Sequence, residues 1–226
     1  MGKMSSGTGT SGGQMPARRS TGARSAKRQR QISDAAAKLF RANGYVNTSM
    51  QDLADEVGIL KPSLYYHIRS KEDLLYEIFA EIHEDVQRIM AEIDAQDDLD
   101  ASAKLRLWAR LHVHHAITHR EKIAVFFQEV GSLSPERMAP IMVMRQAYER
   151  FVLSLIQGEQ LDGKIDQSLD AKQLSLLAFG VLNWMHTWYQ PRGGAAGDDR
   201  LADLCADFIL GGLHSVASPG GKRPPR

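Results

Sequence analysis

The sequence predicts an all-α protein of about nine helices, arranged as a small N-terminal three-helix unit and a larger C-terminal helical domain. Three observations lead there. Apolar residues recur at three- and four-residue spacing along most of the chain, without the two-residue alternation of half-buried strands. The breaks between these runs carry turn chemistry: Gly131-Ser132, Gly158, Asp162-Gly163, Pro191 with Gly193-Gly194, and Gly197-Asp198. Charge is also divided unevenly. Residues 1 to 75 hold 12 Lys and Arg against 6 Asp and Glu, and the remainder holds 16 against 21, so a net charge of +1 conceals a basic front and an acidic back. A basic unit beside an acidic one is the layout expected if only the first meets a polyanion. With 226 residues, 43% of them hydrophobic, the chain can bury a sizeable core. The single Cys205 excludes an internal disulfide and fits a reducing compartment. No apolar run reaches the roughly 18 residues of a membrane span, and no apolar leader opens the chain, so the expected location is cytoplasmic with no membrane partner.

Residues 1–23 are rich in Gly, Ser and Thr with Lys3, Arg18 and Arg19 among them. They are expected to form a disordered basic tail, or an arm that touches phosphate or the minor groove. From Arg24 to Asn43, Ile32, Ala35, Ala36, Leu39 and Phe40 share one helical face, and Gly44 supplies the stop. Arg24, Lys27, Arg28 and Arg30 stand at the start of that helix, where they can lie against phosphate. Ser49 followed by Asp52 forms a capping-box-like start with Asp in place of the usual Glu or Gln. Met50, Leu53, Ala54 and Val57 then make one apolar face, ended by Gly58. A second short helix starts near Lys61 with Pro62 in its first turn, where a missing N–H costs nothing. It presents Ser63, Tyr65, Tyr66 and His67 around one buried anchor, Leu64. Two helices joined by such a short Gly-containing turn make a helix-turn-helix, whose second helix enters the major groove of DNA. This DNA-binding domain is expected over residues 24–75.

Ser70 and Asp73 open a fourth helix that runs through Leu74, Leu75, Ile78, Phe79, Ile82, Val86, Ile89, Met90 and Ile93. Its length of roughly 35 Å lets it connect two domains. After the acidic break at 94–100, helical patterns follow at 101–118, 120–130, 135–157, 170–189 and 198–213. Residues 76–213 are thus an expected all-α second domain, which the resemblance given below implies to be effector-binding and dimerising, with a flexible tail at 214–226. Ser134-Pro135 reads as a helix start, but Pro140 predicts a short turn over 135–139 and a main helix beginning at Pro140.

His112, His115 and His119 recur at the spacing of one helical face, with His114 between them, which admits a metal. No H-E-x-x-H, neighbouring cysteine or in-helix carboxylate accompanies them, so no metal and no cofactor is assigned. Catalytic triad order, P-loop and dinucleotide glycine patterns are absent as well, and no enzyme is expected. Trp108, Phe126, Phe127, Met142, Phe151, Trp184, Met185 and Trp188 either fill the core or line a cavity. Arg145, Arg150 and Arg192 are candidates for cationic groups at its mouth.

The run of Gly44-Tyr45, Thr48-Ser49, Asp52-Leu53-Ala54, Val57-Gly58, Ser63-Leu64-Tyr65-Tyr66-His67 and Ser70-Lys71-Glu72-Asp73-Leu74 closely resembles the DNA-binding domain of TetR-type transcriptional repressors. It departs from that pattern at Leu60, Pro62 and Ile68, where Ser, Gly and Phe are frequent. The resemblance implies a ligand-responsive repressor that binds a pseudo-palindromic operator as a homodimer. Thr48, Tyr65, Tyr66 and Lys71 would then meet phosphate, with Ser49 at the same face, while Lys61, Pro62 and Ser63 read bases and Leu64 and His67 pack inward. It also implies that the last two helices pair across a two-fold.

The second domain looks closest to actinobacterial repressors of lipid, sterol and acyl-CoA catabolism. The likeness lies in the His-rich helix, Phe126-Phe127-Gln128-Glu129, and Trp188-Tyr189 ahead of Pro191 and Gly193-Gly194. This implies a small hydrophobic or acyl-CoA effector held by Trp108, His112, His115, Phe126, Phe127, Met142, Phe151, Trp184 and Trp188. Two other readings stay open at this point: a helical metal-dependent enzyme built on His112, His115 and His119, and a DNA-binding regulator with no small-molecule ligand.

Overall fold

A computed structural model of the chain describes residues 19–190 and 194–216. Among them the backbone forms α1 (Arg19–Asn43), α2 (Met50–Val57), α3 (Lys61–Leu64), α4 (Lys71–Asp94), α5 (Ala101–Thr118) and α6 (Arg120–Glu129). A 3-10 turn (Val130–Ser132) leads to α7 (Pro135–Leu161), α8 (Ala171–Asn183), α9 (Met185–Trp188) and α10 (Gly194–Ser215). No strand occurs among the described residues.

The helix-turn-helix folds as its sequence dictates. Asp52 N–H donates to Ser49 Oγ at 3.1 Å and Ser49 N–H donates to Asp52 Oδ2 at 2.7 Å, so both halves of the capping box form. At the other end Gly58 turns left-handed with φ 68, and Ile59 N–H reaches back to Ala54 O at 2.9 Å. Leu60 offers no side-chain cap, and α3 is only four residues long. It continues as a tighter turn, in which Tyr66 N–H donates to Ser63 O and His67 N–H to Leu64 O. Ile68 replaces the expected Phe without loss of burial, being 1% exposed beside the fully buried Leu64.

Several boundaries differ from prediction, among them the start of α10 at Gly194 and not 198, its end at Ser215 and not 213, and the end of α7 at Leu161 and not 157. α1 begins at Arg19, five residues ahead of the predicted start, so residues 19–23 are helical and the rest of the predicted tail lies outside the described residues. α7 runs unbroken through Pro140. Pro140 is exposed, so the Glu136 carbonyl it leaves without a partner faces water, and one lost hydrogen bond is the main cost. The first turn of α7 is also anchored from outside, by Ser134 N–H on Glu72 Oε1 at 3.0 Å and by Arg137 on Asp73. The predicted helix over 170–189 breaks at Trp184; the Asn183 carbonyl freed there accepts from His186 Nδ1 at 2.6 Å.

The buried side chains form two clusters that do not divide at residue 75. One joins Ile32, Phe40, Leu53, Leu64 and Leu74 of the first four helices to Ile123, Phe126 and Ile141 of α6 and α7. The other packs α5 with the later part of α7, α8 and α10, through Trp108, Val113, Ile156, Phe179 and Ala206. Replacing Gly58 by Val places a β-branched side chain at positive φ. Its expected cost of about 1–2 kcal/mol is read as a lowered urea midpoint.

Candidate functional site

One face of the small domain gathers most of the residues that the sequence assigns to DNA. The N-terminus of α3 projects Lys61 and Pro62 into solvent with Ser63 half-buried beside them. Tyr66 is 90% and Tyr65 46% exposed, side by side at the end of that helix. Exposed aromatic side chains with a polar tip are of a kind that can contact phosphate and sugar. Leu64 is buried, as the inward reading required, whereas His67 is only half-buried.

Two of the predicted phosphate ligands are occupied otherwise. Thr48 is 1% exposed, and its hydroxyl donates to Gly44 O at 2.9 Å, so its side chain braces the turn before α2. Lys71 donates to the carbonyls of Tyr45, Val46 and Thr48 at 2.7, 3.2 and 2.8 Å, and sits 4.4 Å from the Tyr45 ring centre. Its three N–H groups therefore hold the 45–48 turn against the start of α4. Ser49 is exposed, with its hydroxyl oxygen already capping α2.

The second feature is a partly open cavity of about 590 Å³ bounded by α4 to α9, within the roughly 300–1,000 Å³ of small-molecule sites. Five of the nine predicted ligand residues line it: His112, His115, Phe126, Phe127 and Trp184. The other four do not. Trp108 is fully buried one layer behind, Phe151 packs on the core, and Met142 and Trp188 lie off the wall. Of the cationic candidates Arg145 lines the cavity, with its Nε 2.9 Å from Glu149 Oε1, whereas Arg150 does not and Arg192 lies outside the described residues. The sequence reading missed His83, Tyr148, Phe179, Asn183 and His186. Each belongs to a helix whose register on the cavity depends on its neighbours, and no local signal separated them from ordinary core or surface.

Among the polar groups a hydrogen-bonded chain stands out. Trp108 Nε1–H donates to Tyr148 Oη at 2.7 Å, Tyr148 Oη lies 2.8 Å from His112 Nδ1, and His112 Nε2 lies 3.1 Å from Asn183 Oδ1. Indole is only a donor, so Tyr148 turns its own O–H toward His112 Nδ1, and His112 carries its proton on Nε2, facing the Asn183 carbonyl oxygen. Four side chains on α5, α7 and α8 thereby fix one another. Burial pushes the His112 pKa down to about 4, opposed by its bond to Asn183. Burial, with the neighbouring His112, His119, His83 and Arg88, pushes His115 to about 2. Both shifts favour the neutral rings, since burial disfavours the charged form.

The histidine face is split as well. His112 has both ring nitrogens engaged and is no ligand, His114 reaches Asp199 on α10 at 3.2 Å, and His119 Nε2 pairs with Asp85 Oδ2 at 2.6 Å.

A helix-turn-helix and a partly open chamber joined by one long helix define the class: a one-chain DNA-binding regulator. Residues 32–78 match the family of bacterial regulatory proteins called tetR, and residues 98–213 match the tetracyclin repressor-like C-terminal domain. The chain belongs to the TetR family: it is a DNA-binding transcriptional regulator and not an enzyme. The HTH-type transcriptional repressor KstR2 of Rhodococcus jostii is 29% identical over 193 residues, 83% of this chain and 92% of that protein. The TetR family regulator PfmR of Thermus thermophilus shares its fold with a TM-score of 0.71 at 29% identity, over 80% of this chain and 98% of that one. AibR, solved in complex with isovaleryl coenzyme A and operator DNA, gives a TM-score of 0.68 at 25% identity, over 81% and 98%. No helix among the described residues is long and apolar enough to cross a membrane.

Changing Tyr148 to Phe removes the oxygen shared by Trp108 and His112 and leaves a buried indole N–H without a partner. The expected loss is about 1–3 kcal/mol, measured by urea unfolding.

Proposed function

We propose that the protein is a ligand-responsive repressor that binds a pseudo-palindromic operator as a homodimer and is released by a small hydrophobic effector, an acyl-CoA thioester or the related acid. The observation that carries this reading is the double use of α4. Its first turns place Leu74, Leu75, Ile78 and Phe79 in the core beneath the DNA-reading helices, and the next residues on the same side, Ile82, His83 and Val86, line the cavity. A ligand that displaces the second group moves the support of the first. Coupling of this kind amounts to about 1–3 kcal/mol, set by the effector's differential affinity for two arrangements.

The effector class rests on the chamber's lining and on the relatives. Aromatic and aliphatic walls suit an acyl or ring system, and Arg145 can pair with an anionic group once Glu149 releases it. AibR provides a relative whose complex contains an acyl-CoA together with operator DNA. In the dimer, α8 and α10 would form a self-complementary four-helix interface. Leu176, Leu177, Val181, Leu204 and Phe208 are 51%, 66%, 41%, 65% and 65% exposed along these two helices, an apolar face that a monomer leaves unburied. Two α3 helices related by that axis would read successive major grooves about 34 Å apart. Lys61, Pro62 and Ser63 would then meet base edges, and Tyr65 and Tyr66 phosphate.

The test is an electrophoretic shift of the promoter region at fixed salt, with and without acyl-CoA thioesters and free acids. Release by one thioester supports the reading; a specific complex that none dissolves removes the effector class and retains the regulator. Lys61→Ala is expected to weaken operator binding by about 1–3 kcal/mol and to relax base preference at one position, measured by titration against single-base operator variants. Phe208→Asp is expected to convert a dimer to a monomer in sedimentation velocity and to abolish the specific shift.

A further inference from the structure

We propose that Asp85, His115 and His119 form a binding site for a divalent first-row transition-metal ion such as zinc, seated between α4 and the end of α5. A carboxylate oxygen of Asp85 and one ring nitrogen of each histidine all lie within 4.8 Å of one another, close enough for one ion to reach all three by small side-chain rotations. The sequence conceals this set because its carboxylate comes from a different helix, and His112, which shares the histidine spacing, is committed to Tyr148 and Asn183.

The chemistry of each group fits the role. His115 and His119 are one helical turn apart, and their backbone is held by the bond from His119 N–H to His115 O at 2.9 Å and from Ile123 N–H to His119 O at 2.9 Å. His115 is buried, yet its ring nitrogens make no hydrogen bond among the described residues, unlike the neighbouring His83, whose Nδ1 meets Phe79 O at 2.7 Å. The His115 ring faces the cavity and is not sealed in the core, so a ring nitrogen beside the Asp85 carboxylate is open to a metal ion. Asp85 pairs with Arg88 through Oδ1, which orients the carboxylate and leaves Oδ2 toward His119. Zinc would take the place of the proton that His119 shares with Asp85. Lys122, whose charge acts on His119, is balanced by Asp34 and Glu81, so it does not bar a cation. Two imidazoles and one carboxylate leave a fourth position for water. His115 also lines the cavity, so the ion would sit in its wall. The site stands independently of the effector class proposed above.

The experiment uses the full-length, tag-free chain, stripped with EDTA and dialysed, and titrated with Zn²⁺ against a chromophoric chelator. Wild type and His114→Gln are expected to bind one equivalent, and Asp85→Asn and His119→Gln to bind at least about tenfold more weakly, each with wild-type helical circular dichroism. Zinc is expected to raise the thermal midpoint of wild type and not of the two ligand variants. Absence of a stoichiometric site, or equal affinity in the ligand variants, overturns the proposal. Should either variant fail to fold, the Co²⁺ spectrum of wild type decides: intense four-coordinate visible bands support the site, and their absence rejects it.

Discussion

The buried ammonium of Lys122, on α6, is held between Asp34 on α1 at 2.7 Å and Glu81 on α4. Ser33 on α1 donates to the same Glu81 carboxylate at 3.1 Å. Burial alone would push the Lys122 pKa down, but the hydrogen bonds and charges of Asp34 and Glu81 outweigh it and hold it above the ordinary lysine value. A charge so placed stabilises only when both partners are in position, since removing either leaves an ion poorly solvated. It therefore fixes the register of three helices: the base of the DNA-reading domain, the connecting helix, and the helix that walls the cavity. Arg41 on Glu121 at 2.7 Å and Tyr45 N–H on Glu129 Oε1 at 3.0 Å extend this polar seam along α6.

With that seam fixed, α4 cannot rotate for one neighbour without disturbing another. Its leading residues are packed at close to zero exposure beneath α2 and α3, and Ile82, His83 and Val86 face the chamber within the next two turns. Dense packing transmits a displacement because it offers no slack to absorb one. The helix-turn-helix is tied to α4 in a second way. Lys71 ties the 45–48 turn to the start of α4 by three carbonyl contacts, so a shift of α4 reaches the helix-turn-helix through backbone as well as through core.

The chamber's polar chain constrains its contents. Tyr148 bridges Trp108 and His112, and His112 bridges to Asn183 beside the break between α8 and α9. These groups satisfy one another, so the wall presents mostly apolar and aromatic surface with a few exceptions, among them His83, His115 and the Arg145–Glu149 pair. A ligand entering it gains by apolar burial, and gains specificity only where it replaces or joins one of those exceptions.

The local rules of the sequence settled the elements with strong end signals. The Ser49–Asp52 box, the Gly58 stop, the Ser70 cap and the apolar periodicity of α4 and α5 each depend on residues within a turn or two, and each appears where predicted. The family was legible for the same reason, since its signature is a run of such local features. Decisions that required two distant segments to meet were made by the tertiary structure. Pro140 stays inside α7 because Glu72 and Asp73 hold its first turn, Thr48 and Lys71 turn inward because the carbonyls of the 44–48 turn need donors, and His119 turns from His112 to Asp85 because α4 lies alongside. A sequence displays the periodicity of each helix; which face of one meets which face of another is set by the packing of the whole, and that packing decided which aromatic and histidine side chains look into the cavity.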